Sequence, residues 1–318
     1  MRELYRLLAD GQFHSGSELG QVLGVSRAAV WKKIKKLQET QGVSVESVTG
    51  KGYRLCQPIV FVDAGLLKAA LPEYENILVY DQLDSTNLEV RRQLKASPSS
   101  VIVIAEEQTE GRGRRGRQWE SPYAKNIYLS LAWPVTQGMA QLEGLSLAVG
   151  LAVYRALQPY TPEGLGLKWP NDVLIDNKKI AGILIELLGD PADSFFAVIG
   201  IGINVNLQAD QLNVDNPWTS LAIETDRQID RNELIIALIA HLEEILKQQQ
   251  DQGFASIHKE WEQVHLWQNQ MVSLSFAEHE VIGKVLGVSS KGELELLVDG
   301  EQKSFAGGEL TLRLKDDI

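Results

Sequence analysis

The sequence predicts an α/β (α+β) chain in three parts: a helix-turn-helix head, a mixed-sheet body and a small β-barrel at the end. Three observations predict it. The first 57 residues are basic where the remainder is acidic, the middle alternates between helical and strand spacing, and from Met271 onward only short alternating strands remain. A length of 318 residues suits two or three domains. With 44% hydrophobic and 23% charged residues, a disordered, collagen-like or disulfide-dense chain is excluded.

In the head, residues 3–9 predict a short amphipathic helix, Ser15 opens a second with an early acid at Glu18, and Gly24 ends it. Ser26 is a natural N-cap for the next helix, whose apolar face is Val30, Ile34 and Leu37, leaving Lys32, Lys33, Lys35 and Lys36 outside. Residues 43–55 alternate apolar and polar around Thr49-Gly50-Lys51-Gly52, as a hairpin does. Together these make the winged-helix pattern. Any one lysine run is more often a solvated face, but a tight turn, a capped basic helix and a glycine-tipped basic wing coincide here, so the head reads as DNA-binding. Ser26, Arg27 and Ala28 are expected at base edges, and Lys32, Lys33, Lys36 and Lys51 at phosphates. Two heads would read an operator built as an inverted repeat.

The charge supports this division. Residues 1–57 hold nine Lys and Arg against five acids, a balance of +4, so the rest of a chain of net charge −11 carries −15. A basic head on an acidic body marks a nucleic-acid-binding module joined to something else.

Gln57-Pro58 is the expected hinge. Beyond it the pattern gives a strand at 77–81, a helix from Ser85 to about Lys95, strands at 101–108 and 126–133, and a long helix at 139–157. Three apolar strands follow at 165–169, 179–188 and 195–206, with a polar turn at Asp176-Asn177-Lys178, and helices at 231–249 and 253–264 close the body. Strands at 271–275, 281–287, 293–299, 301–305 and 310–314 suggest the barrel. The divisions expected are therefore 1–58, 59–269 and 270–318.

Cys56 is the one cysteine, so no internal disulfide and no cysteine zinc cluster can form, and it is expected to pack at the junction of head and body. The histidines His14, His241, His258, His265 and His279 lack ligand spacing. No apolar run approaches the ~18 residues of a membrane span, and the charged N-terminus is unlike a secretory signal, which predicts a cytoplasmic protein with no membrane partner.

Three segments carry chemistry. Gly111-Arg112-Gly113-Arg114-Arg115-Gly116-Arg117 contains G-x-G-x-x-G, yet no acid occurs from Ser121 to Leu142, which excludes the dinucleotide-binding reading. Four arginines and three glycines in seven residues instead predict a loop that is mobile alone and ordered by a polyanion; a disordered surface loop is the ordinary alternative. Lys168-Trp169-Pro170-Asn171-Asp172 leads to Lys179, which starts an apolar strand and either projects into a cleft or snorkels to solvent. In Gly200-Ile201-Gly202-Ile203-Asn204, strand glycines imply close approach of a ligand or backbone, or only relieve packing.

These residues, with the helix-turn-helix, the GKGYRL wing, DSTN, GRGRRGRQW, KWPND, KKIAGILIE, GIGINVN and GGEL near the end, resemble the bifunctional biotin–protein ligase and biotin-operon repressor family over the whole chain. The resemblance implies a central domain like that of class II aminoacyl-tRNA synthetases and an SH3-like C-terminal barrel. It implies that biotin and ATP form biotinoyl-5′-AMP, that biotin passes to a lysine of the biotin carboxyl carrier protein of acetyl-CoA carboxylase, and that the adenylate is the corepressor of a DNA-binding homodimer. The implied biotin site is Ser85, Thr86, Asn87, Gln108, Gly111, Arg112, Gly113, Arg114, Trp119 and Lys179. Arg112 and Lys179 meet the carboxylate or phosphate; Arg114, Lys168, Asn171, Asp172 and Trp218 serve the nucleotide, and Asp172 its Mg²⁺. For Ser85 a plain N-cap, for Asn171 and Asp172 a turn role, and for Trp218 a core position are the alternatives. A biotin-sensing repressor without ligase activity is the alternative function, against which Lys179 and the intact arginine loop stand. Octanoyl-transferring relatives rely on a body cysteine that this chain lacks.

Overall fold

The computed structural model describes residues 2–41, 43–161, 163–189, 195–209, 211–212, 214, 216–276, 279–307 and 310–315. The chain divides into two compact units, Met1–Val62 with Pro122–Ala124, and Asp63–Ser121 with Lys125–Ile318. Of the GGEL motif, Gly308 and Glu309 lie outside the described residues.

The first unit contains α1 (Arg2–Leu8), α2 (Gly16–Val22), α3 (Arg27–Gln41) and the antiparallel pair β1 (Val45–Val48) and β2 (Gly52–Leu55). Ser15 caps α2 by accepting from the Glu18 amide, and Ser26 Oγ accepts from the Ala29 amide at 3.2 Å at the start of α3. Between them Gly24 takes φ +64, where a side chain would be strained. Leu4, Leu8, Leu19, Val30, Ile34, Leu37 and Leu55 form the core. Two expectations change. β2 ends at the buried Leu55, and Cys56, just beyond the strand, is exposed rather than packed. Lys33 lies beside the apolar stripe and is half-buried, whereas Lys32, Lys35 and Lys36 are exposed. Beyond Gln57-Pro58 the Ile59 amide donates to Ala9 O at 2.8 Å, and Ile59 and Phe61 pack on the same core.

The second unit runs through α4 (Ala64–Ala70), β3 (Ile77–Tyr80), α5 (Thr86–Ala96), β4 (Ile102–Ala105), β5 (Ile127–Val135), α6 (Leu145–Leu157), β6 (Leu165–Lys168), β7 (Asp172–Ile175), β8 (Lys178–Gly189), β9 (Phe195–Ile203), α7 (Leu221–Thr225), α8 (Arg231–Gln252) and α9 (His258–Gln263). Among the described residues its strands β3–β9 form one seven-stranded mixed sheet in the order β3-β4-β5-β9-β8-β7-β6, parallel only between β3 and β4. The central strands β4, β5 and β9 are almost wholly buried, while α5 lies against β4, β5 and β9, and α6 against β8 and α8. The strands β10 (Met271–Phe276), β11 (His279–Val288), β12 (Leu294–Val298), β13 (Glu301–Phe305) and β14 (Thr311–Leu314) make an antiparallel sheet, β13-β12-β11-β10-β14, the small β domain expected at this end.

The helix expected over 139–157 is broken. A 3-10 turn at Met139–Leu142 gives way to Gly144 at φ +69, against which the Phe254 ring packs, and α6 begins only afterwards. Between 165 and 206 the described residues form four strands rather than three. The additional β7 is four residues long and closes through Asp176 and Asn177, both at positive φ, too short for its period to show. β9 stops at Ile203 because the next three amides donate elsewhere: Asn204 to Ile180 O, Val205 to Asn126 Oδ1 and Asn206 to Lys125 O. The short helices α4 and α7, capped by Asp63 and Ser220, have no counterpart in the sequence pattern. Among the described residues no helix is long and apolar enough to cross a membrane.

Candidate active site and nucleic-acid interface

Two connected chambers open beside β8 and β9. The inner one, about 60 Å³, is lined by Ser85, Thr86, Asn87, Gln108, Arg112, Gly182, Gly200 and Gly202. The outer one, about 210 Å³, is lined by Arg115, Arg117, Lys168, Asp172, Trp218 and Leu312. Gly113, Arg114, Trp119, Asn171 and Lys179 line both, so the two spaces meet at a pair of cations and an indole.

The inner chamber is floored by a polar network at the start of α5. Ser85 occupies the N-cap position, yet its side chain makes no capping hydrogen bond. Thr86 N and Thr86 Oγ1 donate to Gln108 Oε1 at 2.9 and 3.1 Å, and Gln108 Nε2 donates to Ser121 Oγ at 3.0 Å. Asn87 Nδ2 donates to Glu186 Oε2 at 2.9 Å, while Ser130 Oγ lies 2.7 Å from Thr86 Oγ1 and 2.6 Å from Asn87 Oδ1. Ser130 and Glu186 are thus site residues that the motifs do not assign. Glu186 has a signal, its place at the end of KKIAGILIE; Ser130, inside a buried strand, has none.

The strand glycines make room for side chains. A Cβ on Gly200 would lie 2.3 Å from Asn87 Oδ1, and one on Gly202 would lie 2.5 Å from the Trp119 ring. Trp119 therefore lies close against β9, with its buried Nε1–H unpartnered among the described residues. Gly111 lines neither chamber. Its Cα faces Trp119 O, 2.2 Å from a would-be Cβ, and its carbonyl accepts from the Trp119 amide, so it shapes the base of the loop.

The arginine loop is a tight hairpin. Arg112 bridges to Gln118, Gly113 N donates to Arg117 O at 2.7 Å, and Arg115 takes φ +58. Its cations are partly matched: Arg112 pairs with Glu186 at 3.1 Å, Arg114 donates to Asn171 Oδ1 at 2.8 Å, and Arg115 donates to Thr311 Oγ1 at 2.6 Å. Burial holds the Arg114 guanidinium below its usual pKa, opposed by Asp172.

Lys179 Nζ lies 2.7 Å from Asp172 Oδ1 and 5.2 Å from the Trp119 ring centroid. Its backbone is pinned at both groups, Lys179 N to Pro217 O and Thr219 N to Lys179 O, which sets Trp218 beside it as a half-buried wall of the outer chamber rather than a core residue. Lys178 points to Glu224 and lines neither chamber. Lys168 sits 4.5 Å from the Trp267 centroid; burial lowers its pKa, and nearby Lys179, Arg313 and Arg117 add to that against Asp172. Asn171 serves structure as well, donating to Ile183 O at 2.9 Å.

On the head, Ser26, Arg27, Ala28, Lys32, Lys36 and Lys51 are exposed, and Lys33 is half-buried. Trp31, which no motif singles out, is also exposed on α3 beneath Lys35, whose ammonium is 4.4 Å from its centroid.

A mixed-sheet body with a cation-lined double chamber, together with a helix-turn-helix head, defines a ligase-type body carrying a DNA-binding module. The comparisons agree: residues 79–204 match the biotin/lipoate A/B protein ligase family and residues 1–54 a helix-turn-helix domain. The chain is 39% identical to the bifunctional ligase/repressor BirA of Escherichia coli, over 98% of this chain and 96% of that one. It is 31% identical to the bifunctional ligase/repressor BirA of Bacillus spizizenii, over 91% and 90%. Among solved structures, the biotin protein ligase of Aquifex aeolicus in complex with biotin and ATP matches with a TM-score of 0.65 and 31% identity, over 76% of this chain and 100% of that one. The chain belongs to the family of bifunctional biotin ligase/repressors.

Proposed function

We propose that the body joins biotin to ATP as biotinoyl-5′-AMP and then biotinylates a carrier-protein lysine, and that the head represses biotin-synthesis genes with the adenylate as corepressor. The observation that carries this reading is Lys179 at the place where the two chambers meet. With the ureido ring of biotin among the neutral groups of Thr86, Asn87 and Gln108 and its apolar part under Trp119, the carboxylate comes to Lys179 and Arg112. ATP takes the outer chamber, adenine against Trp218 and phosphates toward Arg114, Lys168 and Asn171.

A carboxylic acid of pKa about 4 is already ionised at pH 7, so no general base is required; two anions must instead be held together. Lys179 and Arg114 neutralise the developing charge as a carboxylate oxygen attacks the α-phosphorus and the bond to the β-phosphate breaks, releasing pyrophosphate. In the second step the carrier's neutral lysine amine attacks the acyl carbon, the acyl–oxygen bond breaks, AMP leaves as the phosphate anion and the amine's proton passes to water. Asp172 is the carboxylate that would hold a Mg²⁺ entering with ATP, and such an ion would supply charge neutralisation on the phosphates. Among the described residues no cluster of three His, Cys, Asp or Glu would hold a metal by protein groups alone.

Division into residues 1–58, 59–269 and 270–318, a cytoplasmic location, and a homodimer formed with biotinoyl-AMP belong to the same reading. Incubation with ATP, labelled biotin and a biotin carboxyl carrier domain tests it. Label transferred to the carrier supports the ligase; labelled adenylate without transfer leaves only a sensor.

A further inference from the structure

Outside the ligand-facing residues, one ion pair among the described residues of the body is buried almost completely. Arg231 Nη1 stands 2.6 Å from Glu106 Oε2, each side chain 1% exposed. Arg231 is the first residue of α8, where the helix dipole disfavours a cation. A buried pair of this kind adds little net stability over apolar residues. Its position is better accounted for by what it joins.

On one side, Glu106 follows β4, its amide bound to Tyr80 O, and stands two residues before Gln108, which fixes Thr86 and Ser121 in the inner chamber. On the other, Arg231 Nη1 donates to Asn126 O at 3.1 Å. Asn126 is wholly buried; its Oδ1 accepts from Val205 N at 3.0 Å and its Nδ2 donates to Asn204 Oδ1 at 3.2 Å. Asn204 in turn donates to Thr219 O at 3.0 Å, and Thr219 N holds Lys179 O. One unbroken path of polar groups and backbone therefore runs from the Gln108 wall, through the ion pair, to the segment that carries Lys179 and Trp218.

We infer that Glu106 and Arg231 are positioning residues that lock the wall of the inner chamber to the wall of the outer chamber, setting the relative placement of the two reacting anions. This rests on the proposed adenylation. Because the pair touches neither chamber, it governs alignment rather than occupancy. Loosening it lowers the rate of adenylate formation while leaving the binding of biotin alone little changed. A misplacement of about 1 Å costs on the order of a hundredfold in rate.

The test uses the full chain, with Arg231→Lys and Glu106→Gln compared at a temperature where circular dichroism shows each fully folded. Pyrophosphate release within a single turnover gives kcat and KM of the adenylation step for biotin and ATP, and calorimetry gives the affinity for biotin alone. The expected result is a kcat lowered about tenfold or more with biotin affinity within about threefold of the parent. A parental kcat, or a rate loss matched by an equal loss of biotin affinity, overturns the inference. If the single variants do not fold, the apolar pair Glu106→Leu/Arg231→Met gives the same readout, and a parental kcat there overturns the inference by showing that only charge balance mattered. A parent that makes no adenylate but binds both ligands overturns the proposed function, and this inference with it.

Discussion

Lys179 and Asp172 face each other across the β7–β8 hairpin, Nζ 2.7 Å from Oδ1, beside a register shift between Val173 and Leu174. The shift leaves Ile180 without a partner on β7, while Lys179 pairs with Leu174 just before it and its side chain lines both chambers.

Lys179→Ala is therefore expected to keep the fold and to lose adenylate formation by about a hundredfold, the scale of removing one preorganised charge donor. Lys178, turned to Glu224, does not compensate. Chromatographic detection of biotinoyl-AMP checks it, and parental rates would make Lys179 an ordinary strand-end lysine.

Gly200→Ala and Gly202→Ala test the close packing on β9. Their methyl groups would collide with Asn87 Oδ1 and the Trp119 ring, and if the overpacking cost of about 1–3 kcal/mol falls on the biotin-binding arrangement, binding weakens by roughly five- to 150-fold. Calorimetric titration with biotin measures it; unchanged affinity would show that neither side chain shapes the inner chamber.

The arginine loop gives a proteolytic test. Arg115 and Arg117 are exposed, so a trypsin-like protease is expected to cut after them, several-fold more slowly once biotin and ATP are added. Equal rates with and without ligands would reject ordering on binding.

His265 is buried against Trp261, and burial pushes its pKa down to about 4 from an ordinary 6.5, only partly offset by Gln268. The unfolded chain therefore takes up this proton first. The neutral ring's contribution is complete above pH 6.5 and is lost as pH falls toward 4, by roughly 3 kcal/mol in all. Urea midpoints measured across that window are expected to fall less steeply in His265→Gln; parallel slopes would remove His265 as the cause.

For the head, replacing Lys32 or Lys36 by Ala is expected to weaken binding to selected and unrelated duplexes alike and to lower the salt slope by about one for each phosphate no longer neutralised. Changes at Arg27 affect the selected sequence more. With biotin and ATP present, addition of unbiotinylated carrier is expected to release the operator in a gel-shift titration, since it consumes the adenylate. Indifference to both would leave a ligase with an unrelated DNA-binding head.

What the sequence showed best was whatever is close along the chain. The Ser26 cap, the Gly24 turn and the glycine-tipped hairpin follow from local rules, and the arginine loop is visible as a charge run. Pairings over long separations were not visible: Arg112 with Glu186 across 74 residues, Asn87 with Glu186 across 99, Arg114 with Asn171 across 57. Nor could spacing show that the glycines of GIGIN accommodate Asn87 and Trp119, because that depends on which strand lies under which loop. Cys56 misled for a simpler reason: its place at the junction of head and body suggested packing, and it lies exposed just past the end of β2.

The two chambers share Arg114, Trp119, Asn171 and Lys179, and this makes the product of the first step a bivalent ligand. Biotin and ATP each leave by breaking one set of interactions. Once they are covalently joined, release of either half leaves the other anchored nearby, and rebinding becomes intramolecular at a high effective concentration. With the ligands placed as proposed, the adenylate is expected to dissociate more slowly than either precursor. A molecule that persists until an acceptor arrives reports how much acceptor remains, which is the information a repressor of biotin synthesis requires.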